Sequence, residues 1–144
     1  MKAFATLLLA LFSVCAASQA LAQQSVTADG YTIHYNALGT SQLTPQVAQV
    51  YGIQRSSSRA LLNITVLNAD DEPIEAKVTA HARNLTGQQR EIDTRKISEG
   101  DDAIYYIGEF RVNNMETFDF TVKVVPEGAS RPVEVKFRQQ FYTE

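Results

Sequence analysis

Tryptophan is absent from the sequence and cysteine nearly so, and each scarcity narrows what the protein can be. The one cysteine, Cys15, sits inside an apolar run, Ala3 to Ala17, that only Thr6, Ser13 and the cysteine itself interrupt. Met1-Lys2 starts the chain with a charge, and Ser18-Gln19-Ala20-Leu21-Ala22 ends the run with small residues at Ala20 and Ala22, the pattern of a cleavable secretory leader. The run is shorter than the roughly 20 apolar residues a membrane span requires. A lipid anchor at Cys15 is disfavoured, because Val14 precedes it and it lies within the run rather than at its end. Cleavage is expected after Ala22, leaving residues 23–144 with no cysteine. That excludes disulfides, a thiolate nucleophile and thiolate-held metal, so an exported domain of this kind is held by its core alone.

Charge is scarce too. Thirteen Lys and Arg stand against 16 Asp and Glu, a formal charge of −3 that loss of Lys2 makes one unit more negative. A mildly acidic chain does not attract nucleic acid or an anionic membrane. No long apolar segment follows Ala22, so the exported chain is expected to be soluble. Also missing are G-x-S-x-G, H-E-x-x-H and a phosphate-cradling glycine loop, which leaves no recognisable nucleophile or hydrolytic metal motif. We therefore expect a non-enzymatic protein without a cofactor.

What is present is alternation. Tyr31, Ile33, Tyr35 and Ala37 share one face of a strand, as do Ala60, Leu62, Ile64 and Val66 of the next. Ile74, Ala76, Val78, Ala80 and Ala82 alternate with polar residues in the cleanest inward–outward pattern of the chain. A polar strand over Arg90 to Ile97 has the charges of a protected sheet edge. Ile104, Tyr106, Phe110 and Val112 then share a face, followed by Phe118 to Val124 and Val133 to Phe141. Turn-rich stretches such as Asn68 to Pro73, Asn84 to Gln89 and Pro126 to Pro132 separate them. About seven such strands predict one all-β domain over residues 23–144, an antiparallel sandwich of immunoglobulin-like type without the Cys-Trp-Cys hallmark.

One stretch breaks the two-residue period. In "SQLTPQVAQVYGIQRSSSRALLNITVL", Thr44 and Pro45 suit a helix start and Gly52-Ile53 a left-handed C-terminal cap. Leu43, Val47, Val50 and Tyr51 make an apolar stripe at helical spacing. The spacing predicts a short helix between the first two strands. It is either a plug over the open end of the sandwich or the lip of a groove. The block L-x-P-x-V-A-x-x-Y-G-I-x-R-S-x-x-x-A-L-L-N, here Leu43 through Asn63, together with "AIYYIGEF" and "FDFTVKVVP", resembles a family of short exported proteins of Gram-negative bacteria described as a domain of unknown function. The resemblance implies a periplasmic β-domain and carries no reaction, ligand or catalytic residue.

Candidate chemistry is sparse. Arg55 and Arg59 bracket Ser56, Ser57 and Ser58 just past the helix, and guanidiniums with hydroxyls can hold a carboxylate or phosphate. The negative end of the helix opposes that, and the same arginines can instead satisfy its last carbonyls or pair with acids. His34 and His81, with Met115 as a soft third donor, are the weak metal candidates, one ligand short of a convincing site. The acidic turns Asp70-Asp71-Glu72 and Glu99 to Asp102 lack the ligand spacing of a calcium loop. Tyr105 and Tyr106 point to opposite faces of one strand, one into the core and one outward as a contact. The leading expectation is an exported accessory or binding module that engages a protein or envelope component through the helix–serine-loop end, with Tyr51, Arg55, Arg59 and the three serines as its surface. Binding of a small anion or a metal ion is the alternative.

Overall fold

The computed structural model describes residues 24–143 as nine strands, one short α-helix and a single 3-10 turn (Thr40–Gln42); the leader expected over residues 1–22, with its expected cleavage point and Cys15, lies outside them. The strands are β1 (Gln24–Ala28), β2 (Tyr31–Gly39), β3 (Arg59–Leu67), β4 (Ala76–Asn84), β5 (Gln89–Ile92), β6 (Arg95–Glu99), β7 (Ala103–Arg111), β8 (Glu116–Pro126) and β9 (Val133–Phe141), with helix α1 (Pro45–Tyr51) between β2 and β3. They form a five-stranded sheet, β1-β2-β3-β7-β6, and a four-stranded sheet, β5-β4-β8-β9, antiparallel throughout.

The count of about seven strands is corrected at two places. A strand precedes Tyr31: Asp29 and Gly30 both take positive φ (55° and 85°), the turn that joins two-residue hairpins, and β1 pairs with β2 across it. That makes α1 follow the second strand rather than the first. Arg90 to Ile97 is not one strand. The chain leaves the four-stranded sheet after Ile92 and enters the five-stranded sheet at Arg95, so β5 and β6 are edges of different sheets. Gly108 permits this crossing. A Cβ there would stand 2.5 Å from Ile92 Cγ2 and 2.9 Å from the Asp93 carbonyl oxygen, so the crossing segment lies directly on the backbone of β7.

The core is where the two alternating patterns meet. Leu62, Ile64 and Val66 of β3 face Phe120, Val122 and Val124 of β8, all fully or almost fully buried. Phe110, Phe118, Phe120 and Phe141 pack with ring centroids 5.5 to 6.1 Å apart, and Phe120 stacks on Phe137 at 4.5 Å. Such pairs add about 0.5–1.5 kcal/mol each beyond the area they bury. This phenylalanine cluster joins the two layers through side chains of β7, β8 and β9. Tyr106 is the inward tyrosine, its hydroxyl accepting from the Ala76 N–H at 2.8 Å.

Helix α1 has the termini its residues favour. Thr44 Oγ1 accepts from the Val47 N–H, Pro45 occupies the first turn, and Gly52 takes φ 66° while the Ile53 N–H bonds back to the Ala48 carbonyl. Its place in the fold is another correction. The helix does not plug the end of the sandwich; it lies on the outer face of the five-stranded sheet. Leu61 of β3 and Ile107 of β7 point outward there, and with Ala48 and Ile53 they form a second, smaller core. Two buried apolar side chains on the outer face of a sheet need a cover, and α1 supplies it. Ala48 is the residue of α1 that is buried. Val47 and Val50, expected on the buried stripe, are instead 39% and 75% exposed.

Candidate functional site

The cover is incomplete, and the gap beneath it is the most site-like feature among the described residues. Between α1 and the outer face of the five-stranded sheet lies an apolar groove of about 340 Å³. Its floor is Leu38, Leu61, Ile107, Tyr105 and Ile97, side chains from β2, β3, β7 and β6. Leu43, Val47, Tyr51 and Ile53 form the wall. That volume lies at the small end of the range for ligand pockets. Two amides interrupt the apolar lining: Asn36 and Asn63 stand directly opposite each other across β2 and β3. Asn63 Oδ1 is buried without a hydrogen-bond donor. An acceptor in that condition costs about 1–3 kcal/mol until something donates to it.

Two side chains of β6 hold the helix in place. Arg95 Nη2 donates to the carbonyls of Tyr51 at 2.6 Å and Gly52 at 3.4 Å, capping the negative end of α1 with a cation. The Tyr51 hydroxyl donates to the Glu99 carboxylate, and its ring packs edge-on to Tyr105 at 6.5 Å. That hydrogen bond, then partial burial and the nearby negative charge, push the Tyr51 hydroxyl up to about 12. Arg95 is a residue sequence reasoning missed, since the two arginines considered for capping were Arg55 and Arg59. The signal for the groove itself was available: Leu61 next to Leu62, and Tyr105 and Ile107 between Ile104, Tyr106 and Phe110, put apolar residues on both faces of β3 and β7.

Of the surface expected at the helix–serine-loop end, only Tyr51 lines the groove. Arg55 gives its guanidinium to the carbonyls of Leu43 at 2.8 Å and Ser41 at 3.2 Å. Arg59 pairs with Glu109 at 2.6 Å, the acid-pairing alternative. The serine segment is turned inward on itself. The Ser56 N–H donates to Thr40 Oγ1, whose hydroxyl donates to the Ser56 carbonyl, while the Ser58 N–H is held by Ser56 Oγ and the two serine hydroxyls are in contact. Ser57 lies exposed beside Val112 and Gln139. Both guanidiniums and the Ser56 and Ser58 groups thus have partners inside the protein, while Arg59 Nε is buried without one. His34 and His81 project from the outer faces of opposite sheets, so the fold does not bring them together. Met115, at φ 62°, sits beside the β4–β5 turn, near Asn84 and Leu85. Among the described residues no three His, Cys, Asp or Glu side chains converge, and no helix is long and apolar enough to cross a membrane.

Comparison with known proteins follows the fold. The family model described as "Domain of unknown function (DUF4426)" matches residues 25–144. A crystal structure of a protein of that family from Pseudomonas aeruginosa PAO1 is 30% identical, with a TM-score of 0.73 over 84% of this chain and 95% of that one. FetP of uropathogenic Escherichia coli strain F11, produced in the periplasm, is 13% identical, with a TM-score of 0.60 over 83% of this chain and 93% of that one. A copper-bound single-substitution variant of FetP matches similarly, with 13% identity and a TM-score of 0.59 over 83% and 95%. No curated protein matches the chain.

Proposed function

The chain belongs to the DUF4426 family, and on that premise we propose that it is a non-enzymatic periplasmic binding module whose site is the groove between α1 and the outer face of the five-stranded sheet. One observation carries the reading: a helix pinned at its C-terminal end by Arg95 and Glu99 leaves an open apolar space over Leu61, Ile107 and Tyr105 where a closed core was possible. The exposed Val47 and Val50 extend that apolar surface over the lip. Export to the periplasm is supported by the leader pattern of residues 1–22 and by the likeness to FetP, a protein produced there.

The immunoglobulin-like reading of the sandwich is part of the same proposal. The order β2-β3-β7-β6 follows the A-B-E-D sheet of that fold, and β4-β8-β9 follows C-F-G, with β1 and β5 as additions. The copper of the FetP variant stays with that protein, because a likeness at 13% identity speaks for the fold alone.

Nile red, an uncharged apolar dye, tests the groove. Titrated into the purified chain, it is expected to brighten and to move the amide resonances of Leu61, Tyr105 and Ile107. Val47→Asp, a change at an exposed position, is expected to leave the melting temperature in place and weaken the dye by about ten-fold, or 1.4 kcal/mol. Equal dye binding by both proteins, with no movement of groove resonances, sinks the reading.

A further inference from the structure

We propose that the natural occupant of the groove is an uncharged single-chain amphiphile, its chain along the apolar floor and a neutral hydrogen-bonding head at Asn36 and Asn63. This inference rests on the groove being the site, and adds the chemistry of what it takes.

The charges around the groove decide the head. Arg95 is spent on the carbonyls of Tyr51 and Gly52, and Glu99 receives the Tyr51 hydroxyl. Arg55 is spent on the carbonyls of Ser41 and Leu43, and beyond Leu61 the Arg59 guanidinium is paired with Glu109. Each of these five charged side chains has a partner inside the protein, and the atoms left over, Arg59 Nε and Glu109 Oε1, belong to one ion pair outside the groove lining. A carboxylate, phosphate or ammonium head entering here gives up water and meets no opposite charge, which is strongly unfavourable. Of the side chains that line the groove, the one with a buried atom left wanting is neutral: Asn63 Oδ1, without a donor, with the Asn36 amide facing it across the strand pair. A hydroxyl or amide head supplies that donor at no electrostatic cost.

The shape decides the tail. The floor runs across four adjacent strands, β2, β3, β7 and β6, which at about 4.8 Å per strand makes a track roughly 14 Å long. A volume of about 340 Å³ is worth about eleven waters, room for one medium chain. The aliphatic side chains Leu38, Leu61, Ile107 and Ile97 line the track, with Tyr105 among them.

The test compares three probes with one chain length and different heads: monodecanoylglycerol, decanoate and decylamine. Each is titrated below its micelle concentration into the purified chain by calorimetry, with amide spectra reporting the place of binding. The neutral probe is expected to bind at least about ten-fold tighter than either charged one, with shifts at Leu61, Asn63 and Tyr105. Asn63→Leu should narrow that gap to within about three-fold, and Asn63→Asp, the same size with a charge, should turn the preference toward decylamine. If decanoate or decylamine binds the groove as tightly as the glyceride in the unaltered protein, the neutral-head inference falls and the groove remains a site. If none of the three moves the groove resonances, this inference falls, and the groove as a site stands or falls with Nile red. An extended apolar peptide that displaces Nile red where no amphiphile does overturns this inference as well and assigns the groove to a protein partner.

Discussion

The five-stranded sheet buries apolar side chains on both faces, and the two faces differ in how completely. On the inner face Leu62, Ile64 and Val66 have no solvent exposure and meet a second sheet whose side chains interlock with theirs. On the outer face Leu61 and Ile107 are buried nearly as well, yet their cover is a seven-residue helix that cannot span the sheet. A sheet covers a sheet, whereas one short helix covers a stripe about 10 Å wide. The uncovered remainder is the groove. An apolar residue on this protein therefore marks either core or site according to which face of β3 or β7 it occupies.

The neighbours Leu61 and Leu62 test that contrast most directly. Leu62→Ala should cost about 3–4 kcal/mol in urea unfolding, because the enclosed cavity cannot collapse. Leu61→Ala should cost about 1.5–2 kcal/mol, the transfer term alone, because it opens into existing space. It should also alter Nile red binding where Leu62→Ala does not. Equal costs would break the comparison.

Next in size is Gly108→Ala, which sets a methyl against Ile92 and the Asp93 carbonyl and should destabilise by about 1–3 kcal/mol. Amide exchange should then quicken first in β5 and β6, the two strands the crossing joins. Arg95→Met keeps the apolar stem and removes the helix cap, a change of about 1 kcal/mol. Exchange in α1 should become faster than global unfolding while β3 and β7 stay protected. If α1 remains as protected as before, the cap does not hold the lip.

A pH series sharpens the same contact. The Tyr51 hydroxyl is raised in the fold, chiefly by Glu99, so its contribution is complete below the ordinary tyrosine value of 10.0 and is lost as pH rises through about 12. Stability measured over that window should fall more steeply in the unaltered protein than in Tyr51→Phe. The smallest effect belongs to Asp119, whose carboxylate is lowered by its two-pronged contact with Arg138 at 2.7 and 3.0 Å. Its contribution is present above the ordinary carboxylate value and lost as pH falls through the lowered one. Because the pair is fully exposed, Asp119→Asn should leave the melting temperature near neutral pH unchanged within scatter.

Much of the sandwich was legible because alternation is a local property. Tyr31 to Ala37, Ala60 to Val66 and Phe118 to Val124 each name their inward face without reference to any partner. The first hairpin was written in Asp29-Gly30 but hidden by the polar character of Gln24 to Ala28, which gives an edge strand little apolar contrast. The break at Asp93 was hidden for another reason. Nothing in Arg90 to Ile97 tells that a glycine fifteen residues beyond Asp93 lets the chain pass over it. The candidate site was half legible: Tyr51 is at the groove, while Arg55 and Arg59 are committed to carbonyls and to Glu109.

Taken alone, the order of residues determined where most of the strands run, where the helix begins and ends, and which family the chain belongs to, since period, caps and motif spacing are written within a few residues of one another. Only the tertiary structure decided that α1 lies across Leu61 and Ile107, that Arg95 caps it from a strand 43 residues further along, and that a groove remains open beside Asn63. Those facts depend on which surfaces meet. A helix buries whatever complementary apolar face lies within reach of its loops, and periodicity names the face it offers but not the one it finds.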